Sequence, residues 1–435
     1  MYCARTACIA LTVYAILSGA LARAEPTDRA LAPTVVAVTA ARLLDVHTGR
    51  YLERPLVIIT DGRITAVGTQ GALAVPDGAR KVDLPRLTLL PGLIDMHVHL
   101  DSDPRYGGYN YLAFTDSFWA VVAVRNAALT LRAGFTTVRN VGAEGFNDVG
   151  LMQGIDEGMV IGPRIIPAGH AIGATGGHCD STYFPPSMDQ QASAVADGPE
   201  ALRHMVRLQQ KYGAKVIKIC ATGGVFSNDA VGVQQMSVAE IRAVTDEAHM
   251  LQLKVAAHAH GPEGIRAAIE GGVDTIEHAS LVDDAGIRMA RAAGTWFGMD
   301  IYNTDYTQAE GRANGTRASE LKKDADIGEA QRQNFCKATR GGVRQIFSTD
   351  AGVYPHGDNA RQFAVMVKYC ATPLQAVQAA SVNAAEALGM SQDVGEVSAG
   401  HYGDLIGVDG DPLSDVRVLE QVQFVMKGGE VVRSP

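Results

Sequence analysis

Short β-branched runs at 35–40, 55–59 and 64–67 alternate with turns over the first part of the chain, the last two joined by Asp61-Gly62. Asp-Gly between apolar runs predicts a hairpin. The same texture returns at the far end, at 404–408, 422–426 and, past Lys427-Gly-Gly-Glu430, at Val431-Val432. Two end segments of one character predict a small β-sandwich built from 25–87 and 391–435, leaving 88–390 to fold as an inserted domain.

That middle alternates between strand and helix patterns. Apolar runs lie at 91–100, 135–141, 164–168, 216–220, 254–260, 275–279, 295–302 and 345–350. Helical patterns separate them, with Pro199, Pro262 and Pro373 at first-turn positions and a Ser237-Val-Ala-Glu240 capping box. Eight strands alternating with helices predict an α/β fold, a (β/α)8 TIM-type barrel. An open doubly wound sheet would carry a Gly-rich phosphate turn after its first strand, where His97-Val98-His99 stands instead. No repeat of solenoid period is evident. Two polar segments, 179–198 with Pro185-Pro186 and 304–328, follow strands and are expected to overhang the C-terminal face, as lids over a substrate or as long solvated loops.

Composition adds compartment and partners. The chain has 435 residues, 47% hydrophobic and 20% charged, enough for a sizeable core. A net charge of -9 without a Lys/Arg cluster argues against a nucleic-acid partner. Residues 1–24 read as a signal peptide, with Arg5, an apolar stretch at 7–21 and Ala22-Arg23-Ala24 as cleavage site, so the mature protein is expected to be exported, periplasmic or secreted. The apolar stretch is too short to favour stable membrane insertion, the alternative being an uncleaved anchor. Losing Arg5 and Arg23 takes the charge to -11. Cys3 and Cys8 leave with the signal. Cys179, Cys220, Cys336 and Cys370 show no zinc or redox spacing, and mostly buried free thiols are expected.

The chemistry sits at the ends of the expected strands. His97 and His99, two apart on a strand, point the same way and converge as a metal requires. Lys218 interrupts an apolar run; His258 and His260 end the fifth run, His278 the sixth and Asp350 the eighth. Singly, each fits a satisfied histidine, a paired amine or a helix cap. Together they do not, because charged groups are rarely buried unpartnered and barrel enzymes place catalytic groups at these ends.

On these residues, and on the opening Pro91-Gly-Leu-Ile-Asp-Met-His-Val-His99, the chain resembles the amidohydrolase superfamily over nearly its whole mature length. The resemblance implies two divalent metal ions, usually zinc. His97, His99 and Asp350 would bind the more buried ion and His258 and His278 the second. Lys218, carboxylated by carbon dioxide, would bridge them with a hydroxide. A protonated amine cannot bind a cation, whereas a lysine carbamate offers two anionic oxygens. Two ions sharing a water lower its pKa and polarise the scissile carbonyl, and Asp350 would carry the proton to the leaving nitrogen. His260 is expected beside the substrate or behind the ligands, as a catalytic group.

Within the superfamily, Ala221-Thr-Gly-Gly-Val-Phe226 and His258-Ala-His-Gly261 look most like metallo-dipeptidases acting on Xaa-Pro or Xaa-Arg/Lys and like ochratoxin amidases. Release of the C-terminal amino acid from a dipeptide or N-acyl amino acid is implied, as is a homo-oligomer. The substrate's free carboxylate needs a partner, for which His170, His178 and Tyr302 are candidates. The runner-up is a cyclic-amide hydrolase or deaminase of the imidazolonepropionase type, whose single metal has no use for a carbamate at Lys218. An inactive binding protein on the same fold is the remaining class, and six filled ligand positions speak against it.

Overall fold

The computed structural model describes residues 34–435, so the signal sequence expected over 1–24 lies outside the described residues. The first described segment forms β1 (Val35–Leu44), β2 (Tyr51–Glu53), β3 (Pro55–Thr60), β4 (Arg63–Thr69) and β5 (Arg80–Pro91). Asp61 and Gly62 both take positive φ, 49° and 80°, so β3 and β4 close through the expected tight turn with Thr60 opposite Arg63. Then come β6 (Leu93–Val98), β7 (Phe135–Asn140), β8 (Arg164–Pro167), β9 (Val216–Cys220), β10 (Lys254–Ala259), β11 (Thr275–His278), β12 (Trp296–Gly298) and β13 (Gln345–Ile346). The chain ends with β14 (Leu405–Asp409), β15 (Phe424–Lys427) and β16 (Glu430–Arg433).

Both ends meet in one eight-stranded sheet, ordered β16-β15-β14-β5-β1-β3-β4 with β2 on β1. Where the sequence predicts a sandwich, the strand pairing is that of a single continuous sheet, gathering Val36, Val38, Ile59, Leu89, Leu405 and Phe424 into one apolar cluster. Its β5 runs on to Pro91, paired with Leu405, so the sheet passes residue 87 and only Gly92 separates it from β6.

All eight runs expected in the middle are strands, and all are parallel to their neighbours: β6-β7-β8 in one sheet, β9 to β13 in another. They are short and almost wholly buried, as parallel strands covered on both faces must be. At one seam Met96 N donates to Phe347 O and Asp350 N to His97 O, each at 2.8 Å; at the other, Ile172 N donates to Lys218 O at 2.8 Å. The helices Pro199–Lys211, Pro262–Gly271 and Pro373–Ala379 start on the expected prolines, and Ser237 with Glu240 caps Val238–Met250 from both sides. No helix among the described residues is long and apolar enough to cross a membrane.

Two expectations are corrected. Segment 304–328 is mainly helical, lying in Asn303–Glu310 and the long helix Ala318–Arg340. The long helix buries a stripe at helical spacing, Glu320, Asp324, Ile327, Gln331 and Phe335, whose members within the segment are mostly acidic and so read as surface. The cysteines are not free: Cys179 pairs with Cys220 and Cys336 with Cys370, with Cα separations of 5.9 and 5.4 Å. Partners 41 and 34 residues apart meet only through tertiary packing, which spacing cannot show.

Replacing Cys336 and Cys370 by Ser reopens a 34-residue loop. The loss should be about 2–4 kcal/mol. A lowered urea midpoint is the expected readout, with an m-value equal to or above that of the wild type because the opened unfolded chain exposes more surface; an unmoved midpoint would show that this bond contributes no stability.

Candidate metal centre

Six side chains from strand ends or the turns beyond them line one cavity of about 110 Å3: His97, His99, Lys218, His258, His278 and Asp350. At the end of β6, His97 Nε2 and His99 Nε2 each lie 3.3 Å from Asp350 Oδ1. Donor atoms of His258, His260 and His278 form a second group, and those of His278, Asp300 and Asp350 a third, all within 4.8 Å of one another in each group. Holding these donors together strains the backbone. His278 and Asp350 adopt left-handed φ of 70° and 57°, a conformation that costs a non-glycine residue about 1–3 kcal/mol.

The imidazoles are oriented from behind. His97 Nδ1 meets Glu277 Oε2 at 3.1 Å, His99 Nδ1 the Gly142 carbonyl at 2.9 Å, His278 Nδ1 Asp300 Oδ1 at 2.9 Å, and His260 Nδ1 Ser280 Oγ at 2.8 Å. Each Nε2 is thereby left for the centre, the arrangement by which proteins orient histidine ligands. Buried His258 Nε2 has no hydrogen-bond partner, which an interior polar atom rarely tolerates. Imidazole and carboxylate donors converging around such an orphan atom fit divalent metal ions. Burial depresses the Lys218 amine to about 8 despite the attraction of Glu277 and Asp350. Burial also pushes the Asp350 carboxyl up, but His97 and His99 outweigh it and hold the group well below the usual range.

The family model for the amidohydrolase family matches residues 88–432. The chain belongs to the amidohydrolase family. As an amidohydrolase it is a metal-dependent hydrolase acting on carbon–nitrogen bonds. It is 28% identical to ochratoxinase of Aspergillus niger over 92% of this chain and 87% of that protein. The crystal structure of an Xaa-Pro dipeptidase with methionine bound in its active site is 33% identical, with a TM-score of 0.86 over 92% of this chain and 99% of that one. The ochratoxinase crystal structure gives 27% and 0.81, covering 93% and 96%.

The amidohydrolase's remaining sequence candidates separate. His178 joins the centre: its ring stacks on His258 with centroids 4.0 Å apart, and Gly224 makes room, since a Cβ there would strike the His178 ring. Ser227 Oγ donates to Asp229 and accepts from His178 Nδ1 at 2.7 Å, so the His178 Nε2 is an acceptor. Burial takes its pKa down to about 4, which keeps the ring neutral. A neutral acceptor does not suit the carboxylate-binding role expected of His178. His170 lines a second, outer cavity and not the inner one. Tyr302 lines neither cavity; it packs edge-on against Tyr354 at 5.0 Å. His260 brings a ring nitrogen within 4.8 Å of those of His258 and His278. The 179–198 segment and the helical 304–328 segment both contribute walls to the outer cavity.

Sequence reasoning missed Asp300, Arg139 and Glu277. Arg139, on β7, and Glu277, on β11, are fully buried and paired at 2.6 Å. Arg139 also donates to Met96 O at 2.6 Å and Thr275 Oγ1 at 3.0 Å. Burial pushes the Glu277 carboxyl up, yet Arg139 and His97 hold it well below the usual range. Gly298 lets β12 pass close by, because a Cβ there would lie 2.8 Å from Glu277 Oε2. The signal was available in each case: a charged residue inside an apolar run.

Glu277→Gln strands the Arg139 charge and should cost about 3–5 kcal/mol. Arg139→Met with Glu277→Leu should recover most of that stability. Gln still offers His97 Nδ1 a neutral amide oxygen and Leu offers none, so metal affinity should fall about 10–100-fold in the double variant and by less in Glu277→Gln. Competition with a chromophoric chelator measures this; wild-type affinity in the stable double variant would refute the orienting role.

Proposed function

We propose that this chain is a binuclear amidohydrolase that releases the C-terminal amino acid from a dipeptide or N-acyl amino acid. Its scaffold is a closed (β/α)8 barrel over 88–390, joined to the single eight-stranded sheet that both ends of the chain build. The observation that carries the reading is a buried lysine, Lys218, among six histidines and Asp350 in one cavity. A one-metal centre has no evident need of that lysine. The similar proteins named for Xaa-Pro dipeptides and for ochratoxin support an amide as the bond broken.

His97, His99 and Asp350 would hold one ion, and His258, with its orphan Nε2, and His278 the other; the nitrogen and oxygen donors suit zinc. The ions would supply Lewis-acid polarisation of the carbonyl and a nucleophile from water near neutral pH. The lowered Lys218 amine keeps an appreciable neutral fraction near pH 7, the form that carbon dioxide carboxylates. Asp350, held ionised by its histidines, accepts a proton and returns it to the leaving nitrogen. The neutral His178 offers its Nε2 lone pair to a substrate N–H, while His260, fixed by Ser280, faces the same cavity. His170, farther out, is left for the distal part of the substrate. Two disulfides suit an exported protein, periplasmic or secreted.

The test is amino-acid release from a dipeptide and N-acyl amino acid library by chelator-stripped and metal-restored protein. Activity should return at two ions per chain. Lys218→Ala should lose the second ion, and Asp350→Asn should lower kcat by about 10²–10⁴-fold. One ion per chain with a fully active Lys218→Ala variant, or turnover of cyclic amides and aminopurines alone, would overturn the assignment.

A further inference from the structure

We infer that Ser227, Asp229 and Gln235 are positioning residues that act through His178, fixing its ring so that Nε2 turns a lone pair into the inner cavity. What that lone pair receives, a substrate N–H, rests on the amide-releasing function proposed above. Of these four residues only His178 lines the cavity. The other three stand behind it.

Proton count sets the direction of the relay. A carboxylate has acceptor sites alone, so Asp229 Oδ1 takes the hydroxyl proton of Ser227 at 2.5 Å. That hydroxyl, its proton committed, accepts from His178 Nδ1 at 2.7 Å. Nδ1 therefore carries the ring proton, and Nε2 faces the cavity without one. Gln235 closes the arrangement: its Nε2 donates to Asp229 Oδ2 at 2.5 Å while its Oε1 accepts from the His178 backbone N–H at 2.9 Å. One amide thus ties the carboxylate to the residue whose ring it aims.

The surrounding fold is shaped to hold the relay. Ser227 is buried, and the Asp229 side chain is only 12% exposed. Lys323, from the helix Ala318–Arg340, secures the loop by donating to Ser227 O at 2.7 Å and Gly224 O at 3.1 Å, and its Nζ lies 3.9 Å from Asp229. Two glycines make room: a Cβ at 224 would strike the His178 ring, and one at 177 would lie 2.8 Å from Gln235 Oε1. Neutral groups would secure a loop equally well without desolvating a carboxylate. What the acid adds is a fixed polarity, since an amide in its place has a donor to offer Ser227.

The test uses zinc-loaded protein with ¹⁵N-labelled histidine, in which long-range proton–nitrogen spectra tell a protonated ring nitrogen from a bare one. The His178 signals are those lost in His178→Ala. Wild type should show a proton on Nδ1 and none on Nε2. Ser227→Ala, which removes the acceptor, should mix the two tautomers, and Asp229→Ala, which releases the serine proton toward Nδ1, should shift the ring proton to Nε2. On the amide hydrolysed fastest in the library, each variant should lower kcat/KM at least about tenfold in the wild-type background and less than about twofold in His178→Ala. A proton on Nε2 in wild type, an unaltered tautomer in both variants, or equal losses in the two backgrounds overturns the inference, the last because a loop-holding role adds to the loss of the ring. Without measurable turnover the spectra decide the relay by themselves, and failure of the wild type on every amide counts against the amide-releasing reading alone.

Discussion

A guanidinium and a carboxylate sealed in a protein interior have no water to fall back on, so each must find the other. Arg139 and Glu277 do so between β7 and β11, and both are fully buried. The pair reaches further than its own contact. Glu277 turns His97, Arg139 braces the β6 backbone at Met96, and β12 must present glycine at 298 to let the carboxylate in. Four strands are thus registered around one buried charge pair, and the first metal ligand takes its orientation from it. Replacing such a pair with apolar residues would suit a bare scaffold well. Here it is kept where an imidazole has to be aimed.

The same economy of position appears at Asp350 and His278. Both take left-handed backbone conformations, His278 as the last residue of β11 and Asp350 in the turn beyond β13, and both belong to more than one donor group. Strain at these two residues is met by backbone bonds between neighbouring segments, such as Asp350 N to His97 O. The centre is consequently built across the seam between the two parallel sheets, with His97 and Asp350 on opposite sides of it.

Much of this was legible in the sequence because period and chemistry agreed. Eight apolar runs became eight parallel strands, and the ionisable residues ending them, His97, His99, Lys218, His258, His278 and Asp350, line one cavity. The prolines and the Ser237 cap marked true helix starts. What stayed hidden depended on contacts across the fold. Segment 304–328 reads as loop because its helices bury only a narrow stripe, and the cysteines read as free because their partners are remote. Tyr302 ends the seventh expected run, yet its ring turns to Tyr354 and away from both cavities, a direction no spacing encodes. Asp300, Arg139 and Glu277 carried a signal like that of Lys218, but a lone charged residue inside a strand run reads equally well as half of an internal ion pair, and its partner lies on another strand.

The bond between Cys179 and Cys220 bears on ligand competition. Both residues line the inner cavity, and Cys220 follows Lys218 by two positions. Reduced, they would be soft thiolate donors within reach of the same ions, and sulfur competes strongly with imidazole and carboxylate for zinc and heavier metals. Joined to each other, they are withdrawn from that contest. Oxidation therefore edits the coordination chemistry of the pocket, leaving nitrogen and oxygen donors to choose the metal.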